Sequence, residues 1–416
     1  MRADPRHLKL SSFANWLLVY ALRRLMKIAV VGAVLTLGVA CIGGIAHSAS
    51  KKPDGFKTKA SHAILLDVGA DLVMFEKNAD TQMVPASMSK LMTLAIVFRE
   101  LKAGRITLDD EFTVTEHAWR TGGAPSGSAA MFAPLGKPIT VSDLVQGITV
   151  QSGNDSSIIL AEGIAGSEPA FVTMMNEHAK EIGLTQSTFA NSTGLTAEGH
   201  LMSARDLATL AKYLIDTYPE YYHYFGQKEF RYRDKFTFRN RNPLVWADIG
   251  VDGMKTGYLK SSGYGLVASA KRGDQRLVLV VNGLQSKSDR QKEPRRLLDW
   301  GFKSFKPFRL YNEGDKVSDA LVWGGTKHYV PLVGDGDINL LLPTTATGAV
   351  SATILYDGPI KAPIRKGDQV ATLRVGAKES TATNEIPLYA GEDIGRSNFA
   401  MRGLDSLLVL AFGWLL

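Results

Sequence analysis

Three short segments of this chain carry nucleophilic, basic and carboxylate-binding side chains: Ser87-Met88-Ser89-Lys90, Ser152-Gly153-Asn154 and Lys255-Thr256-Gly257. Ser87 and Lys90 are three residues apart, so on a helix their side chains share a face. A lysine desolvated in a cleft becomes neutral enough to take a serine proton. If a helix starts at Ser87, the serine's own N–H is among the unpaired donors at the positive end of the helix dipole, half of an oxyanion hole. The Ser152 hydroxyl can relay a proton to a leaving amine, and the Asn154 amide can hold a substrate carbonyl. Lys255 and Thr256 can bind a terminal carboxylate, while Gly257 lets a substrate approach the strand backbone. Taken singly, each segment has an ordinary alternative: a capping serine with a surface lysine, a plain turn, an exposed strand end. Their order, each beside an element boundary, points to serine acyl transfer on a peptide or a β-lactam ring.

Helices and strands must bring these segments together. Ala63-Ile64-Leu65-Leu66-Asp67 and Leu72-Val73-Met74-Phe75-Glu76 flank a Gly-Ala-Asp turn and read as a β-hairpin. After Pro85-Ala86, the residues Met88, Leu91, Met92, Ala95 and Phe98 form one apolar stripe of a helix that Gly104 ends. Helices are expected over 141–148 and 156–163, with Ser152-Gly153-Asn154 connecting them. Another runs from Ala204 to Ile215, with Ser203 as cap and Asp206 completing a capping-box variant. Leu266 to Ala270 and Leu277 to Val281 read as strands about the Arg272-Gly273-Asp274 turn, with Lys255-Thr256-Gly257 preceding them. Pro294 to Phe302 reads as a helix with proline at its first position. Lys306-Pro307 looks like a linker, and from Phe308 to Ala390 short alternating runs between Gly and Asp clusters indicate a small all-β domain.

At 416 residues, 45% hydrophobic and 21% charged, the chain is long enough for two domains and a sizeable core. Its net charge of +7 suggests nucleic acid at first sight. Residues 1–50, however, hold six of the 48 basic residues and one of the 41 acidic ones, leaving 42 against 40. No nucleic-acid partner is therefore expected. That stretch reads as a secretory leader: Arg23, Arg24 and Lys27, an apolar run from Ile28 to Ile45, then Ala46-His47-Ser48 as a cleavage site. Cys41, the single cysteine, lies in the apolar run, so the mature chain carries no disulfide and no thiol nucleophile. The eight histidines are dispersed without metal-ligand spacing, and no metal or cofactor is expected. At the other end, residues 392–416 place Ile394, Phe399, Met401, Leu404 and a nearly apolar 407–416 among Arg396, Arg402 and Asp405. Ten helical residues reach only about 15 Å, short of a ~30 Å bilayer core. An amphipathic helix in the membrane interface is expected instead.

The text around the first motif, Pro85-Ala86-Ser87-Met88-Ser89-Lys90-Leu91-Met92-Thr93, resembles that of low-molecular-mass penicillin-binding proteins, the serine D-alanyl-D-alanine carboxypeptidases of the bacterial cell wall. Ser152-Gly153-Asn154-Asp155, Val251-Asp252-Gly253-Met254-Lys255-Thr256-Gly257, Asn240-Arg241-Asn242 and Leu297-Leu298-Asp299-Trp300-Gly301-Phe302 are similar to the same family. The resemblance implies an α+β fold of the β-lactamase/transpeptidase type over 51–307, with a central antiparallel sheet flanked by helices, then the all-β domain over 308–391. It implies Ser87 as acylated nucleophile, Lys90 as its base and Ser152 as relay. Asn154 would orient the substrate, Lys255, Thr256 and Arg290 would hold its carboxylate, with Arg241 a further member, and the backbone N–H of Tyr258 would complete the oxyanion hole. The implied partners are a peptidoglycan stem peptide ending in D-Ala-D-Ala and β-lactam inhibitors. The implied location is the periplasmic face of the cytoplasmic membrane, with the terminal helix as a peripheral anchor. Leu259 and Ser262 depart from the family pattern beside the substrate strand. An endopeptidase on peptidoglycan crosslinks, or a catalytically silent wall-binding scaffold, remains open. A β-lactamase would need a placed carboxylate for fast deacylation, and the 194–200 loop offers only Glu198.

Overall fold

The computed structural model describes residues 56–344, 350–377, 383–399, 401–403 and 405–406. The leader with Cys41, and the apolar tail 407–416, lie outside the described residues. Strands β1 (His62–Asp67) and β2 (Leu72–Lys77) form the expected hairpin. Two small antiparallel pairs follow, β3 (Glu111–Thr113) with β4 (Pro138–Thr140) and β5 (Glu229–Tyr232) with β6 (Phe236–Arg239). The long strands β7 (Val251–Leu259), β8 (Gly263–Arg272) and β9 (Gln275–Leu284) join the first hairpin in one antiparallel sheet of order β2-β1-β9-β8-β7.

Both faces of that sheet are covered, which is why its strands read as nearly continuous apolar runs. Ile64, Val267, Val278 and Val280 point into the larger core beneath the helices. Their neighbours Leu65, Leu266, Leu277 and Leu279 point the other way, onto Leu297 and Leu298 of the Lys287–Ser304 helix. The Lys90–Lys102 helix runs through the larger core. Instead of one apolar stripe it is buried on all sides: Leu91, Leu94, Ile96, Val97 and Phe98 are wholly enclosed, and so is Lys90. This placement has a chemical consequence, because the Lys90 ammonium has no water to solvate it.

Several local expectations change. Lys255-Thr256-Gly257 precedes β8 and β9 as expected, but it lies in a further strand, β7, at the edge of the sheet. Ser203 caps the Ala204–Thr217 helix through the Asp206 N–H, but the Asp206 carboxylate accepts from the Gln186 N–H and the Ser187 hydroxyl, so no capping box forms. The last helix of the sheet layer starts seven residues before Pro294, where Ser286 caps Asp289, and Pro294 is buried in its interior. It runs directly into β10 (Phe305–Tyr311), so Lys306-Pro307 is strand rather than linker. Strand β10 belongs to a two-stranded ribbon, and an edge position tolerates a proline.

The all-β part comprises β10, β11 (Lys316–Trp323), β12 (Tyr329–Val333), β13 (Ile338–Pro343), β14 (Val350–Leu355), β15 (Ile360–Lys361), β16 (Gln369–Ala377) and β17 (Thr383–Ala390). β10 pairs with β13, and the others form a sheet of order β14-β16-β17-β12-β11-β15 over Val330, Leu332, Leu373 and Leu388. Ile394, read as part of the terminal amphipathic helix, is instead buried in this core and bridges Ile364. Helical backbone begins at Phe399, which is 83% exposed. Among the described residues no single helix is long and apolar enough to cross a membrane.

Candidate active site

Ser87 sits in a short 3-10 turn, Ala86–Ser89, that leads into the Lys90–Lys102 helix. The turn is entered through Ala86 at φ +50°, a left-handed conformation that a residue with a Cβ adopts only when its surroundings enforce it. Two glycines make room for those surroundings. A Cβ on Gly194, itself at φ +78°, would lie 2.1 Å from the Ala86 carbonyl oxygen. A Cβ on Gly257 would lie 2.8 Å from the Pro85 carbonyl oxygen. The glycine of the third motif thus admits the nucleophile turn against β7, and not only a substrate.

The Lys90 ammonium donates to Ser87 Oγ at 3.0 Å, to Asn154 Oδ1 at 2.6 Å and to the Thr193 carbonyl. Burial brings its pKa down to about 7, the positive charge of Arg241 adds to the effect, and Asp155 and Glu168 oppose it. Lys90 is therefore a base close to half-neutral near physiological pH. Lys255 is equally enclosed and donates to Ser152 Oγ at 2.7 Å. Its pKa falls well below the ordinary lysine value, first through burial and then through Lys90, Arg241 and Arg290. Two lysines, each bonded to a serine hydroxyl, thus occupy one cleft.

Ser152 is held at φ +67° at the end of a wide π-type turn, Gly147–Gln151, and Asn154 opens the next helix, Asn154–Ala165. Its neighbour Asp155 secures this geometry from behind. Wholly buried, Asp155 accepts from the N–H groups of Met131, Ala133 and Ser156, and its pKa rises through burial against the pull of those bonds. The segment so tethered supplies Ser128, whose hydroxyl accepts from Asn154 Nδ2 at 2.8 Å. With Oδ1 on Lys90 and Nδ2 on Ser128, the Asn154 amide has one orientation.

Sequence reasoning missed Ser128, and it also missed the loop that contributes the Thr193 carbonyl. Asn191-Ser192-Thr193 matches a glycosylation acceptor, but its side chains build that loop. Asn191 Oδ1 accepts from the N–H groups of Thr193 and Gly194 and from the Thr193 hydroxyl, and Ser192 donates twice to Glu168. Asn followed by Ser, Thr and Gly is a turn signal in its own right. Glu198, in the same loop region, is exposed.

The remaining expected residues line the edge. Thr256 is buried beside Lys255, while Tyr258 is half exposed and stacks on Tyr264 with ring centroids 4.2 Å apart. Arg241 stands at the exposed mouth, its Nε 3.4 Å from Gln151 Oε1. Arg290 lies in the first turn of the Lys287–Ser304 helix, close enough to Lys255 to bear on its charge, with its guanidinium 5.3 Å from the Tyr264 ring centre. Leu259 is half-buried at the end of β7, and the Ser262 hydroxyl is buried without a hydrogen-bond partner among the described residues.

Comparison with known proteins gives a consistent picture. Residues 46–286 match the family described as D-alanyl-D-alanine carboxypeptidase, and residues 305–396 match the C-terminal domain of penicillin-binding protein 5. The D-alanyl-D-alanine carboxypeptidase DacC of Escherichia coli is 38% identical over 354 residues, 84% of this chain and 88% of its own length. DacF of Bacillus subtilis is 34% identical over 391 residues, 91% of this chain and 96% of its own. Among solved structures, penicillin-binding protein 5 of Haemophilus influenzae superposes with a TM-score of 0.75 at 33% identity, covering 85% of this chain and all of that one. Penicillin-binding protein D2 of Listeria monocytogenes, solved in its ampicillin-bound form, superposes with a TM-score of 0.52 at 26% identity, covering 60% of this chain and 99% of that one.

Proposed function

The chain belongs to the D-alanyl-D-alanine carboxypeptidase family of serine peptidases, and from that premise we propose the following roles for its residues in releasing the terminal D-alanine of a peptidoglycan stem peptide. The observation that carries the assignment is the pair of enclosed lysines bonded to Ser87 and Ser152. Neutral Lys90 takes the Ser87 proton as Oγ attacks the carbonyl carbon of the penultimate D-Ala. The oxyanion is met by the Ser87 N–H at the helix start and the Tyr258 N–H on the edge strand. As the C–N bond breaks, Ser152 passes a proton to the leaving amine and is reprotonated through Lys255 with the proton that Lys90 took from Ser87, which leaves Lys90 neutral again. Water then attacks the ester, with Lys90 as base, and Ser87 is restored.

Asn154, fixed by Ser128, orients the acyl half of the substrate. Lys255, Arg290 and Arg241 form the cationic side that receives the terminal carboxylate, and the Thr256 hydroxyl can donate to it. An anion there favours protonated Lys255, offsetting the burial that lowers its pKa. A β-lactam enters the same geometry and acylates Ser87. Mass spectrometry of protein incubated with benzylpenicillin is expected to find one adduct on the peptide containing Ser87, and a diacyl-Lys-D-Ala-D-Ala peptide should release D-Ala. An adduct elsewhere, or release only from crosslinked peptides, would sink this assignment in favour of another acceptor or an endopeptidase.

We also propose that the chain works outside the cytoplasmic membrane and is held at its surface by the segment beyond Asn398. Exposed Phe399 and Met401 at the start of that segment, with the apolar residues after it, support this reading. Protein ending at Asn398 is expected to lose co-sedimentation with anionic vesicles and to keep its D-Ala release. Undiminished vesicle binding would remove the anchor.

A further inference from the structure

Arg290 is costly where it stands. It is the fourth residue of its helix, where a positive charge opposes the helix dipole. Its Nε is buried without a hydrogen-bond acceptor among the described residues. Burial lowers its pKa, Tyr264 opposes that and the charge of Arg241 adds to it, and no carboxylate among the described residues forms an ion pair with it. The aromatic face of Tyr264, 5.3 Å from the guanidinium carbon, is the compensation the structure offers. That ring is itself fixed. Tyr264 pairs with Tyr258 across β7 and β8 and with Leu284 on β9, and it stacks on Tyr258.

We propose that Tyr264 is a positioning residue for the carboxylate pocket: its ring holds the unpaired Arg290 guanidinium in place by a cation–π contact, ready for the substrate's terminal carboxylate. This rests on the acyl-enzyme reading above and adds to it a residue that touches no reacting atom. An ion pair within the protein would also steady Arg290, but it would neutralise the charge the substrate needs. An aromatic face steadies the cation and leaves its N–H groups free to donate. Tyr258, whose N–H is assigned to the oxyanion hole, stacks on the same ring. The carboxylate pocket and the acylation strand thus share one support.

The test uses the full-length protein and two acylating probes, benzylpenicillin and its methyl ester, which lacks the carboxylate. Tyr264→Leu is expected to lower the second-order acylation rate with benzylpenicillin by about tenfold and with the ester by less than about twofold. Tyr264→Phe, which keeps the ring, should match the parent protein. Because a leucine here could loosen the sheet, phenylalanines carrying one, two and three ring fluorines at position 264 provide a second series. They preserve shape while draining the ring's negative face, and benzylpenicillin acylation should fall stepwise along the series. A flat fluorine series, or equal losses with acid and ester, overturns the assignment to Tyr264. Parent protein that takes neither probe overturns the acyl-enzyme reading itself.

Discussion

Ser87→Ala and Lys90→Met are each expected to lower D-Ala release by about 10⁴-fold or more, and the double variant should be no slower than either single one. A nucleophile and its base act in one step, so once either is gone the other has nothing left to contribute. The 3.0 Å contact between Lys90 Nζ and Ser87 Oγ is the physical reason to expect this, since among the described residues no second base reaches that hydroxyl. Losses that multiply in the double variant would mean that the two act separately. The parent protein carries a matching pH signature. Below its pKa of about 7, Lys90 is an ammonium without a lone pair, so kcat/KM should rise about tenfold per pH unit and level off above neutrality. Arg241→Gln removes a positive charge that holds Lys90 down, so the limb should move to higher pH. A limb that stays in place, or moves downward, would show that another group titrates.

Much of this site was legible because side-chain chemistry and spacing survive folding unchanged. Ser87 and Lys90 had to share a helical face, and the apolar runs on either side of Arg272-Gly273-Asp274 had to be strands. What escaped the sequence has physical causes of three kinds. Backbone contributions carry no letter: the Thr193 carbonyl that binds Lys90 would be the same atom in any residue. Steric needs between distant segments are also silent: nothing in the sequence around Gly257 tells of the Pro85 carbonyl that lies against it. Polar helix turns lack periodicity, so the exposed start of the Lys287–Ser304 helix was invisible and Pro294 passed for its first residue. The Ser286 and Asp289 pair was the available signal, a cap three residues from an acid. The all-round burial of the Lys90–Lys102 helix up to Phe98 is likewise hidden, because Lys90, Thr93 and Glu100 interrupt the apolar run although all three are buried.

Expulsion of the leaving amine is the step that Ser152 tests. Ser152→Ala is expected to slow turnover of a D-Ala-D-Ala peptide by about 10²–10³-fold and benzylpenicillin acylation by roughly tenfold or less. An amide nitrogen leaves only if it is protonated as the bond breaks, and the expelled D-alanine can otherwise return to the ester carbon. A β-lactam nitrogen leaves with release of ring strain, so it depends less on the donor. Ser152 can serve as donor because Lys255 holds its oxygen at 2.7 Å and the left-handed backbone at φ +67° fixes its direction. That same backbone makes Ser152→Thr a poor rescue, since a β-branched residue is strained there. Lys255→Met should reproduce the peptide defect, and it should also raise KM because the carboxylate loses its cation. If Ser152→Ala slowed the peptide and the β-lactam equally, Ser152 would act on the nucleophile, and the relay would belong to Lys90 alone.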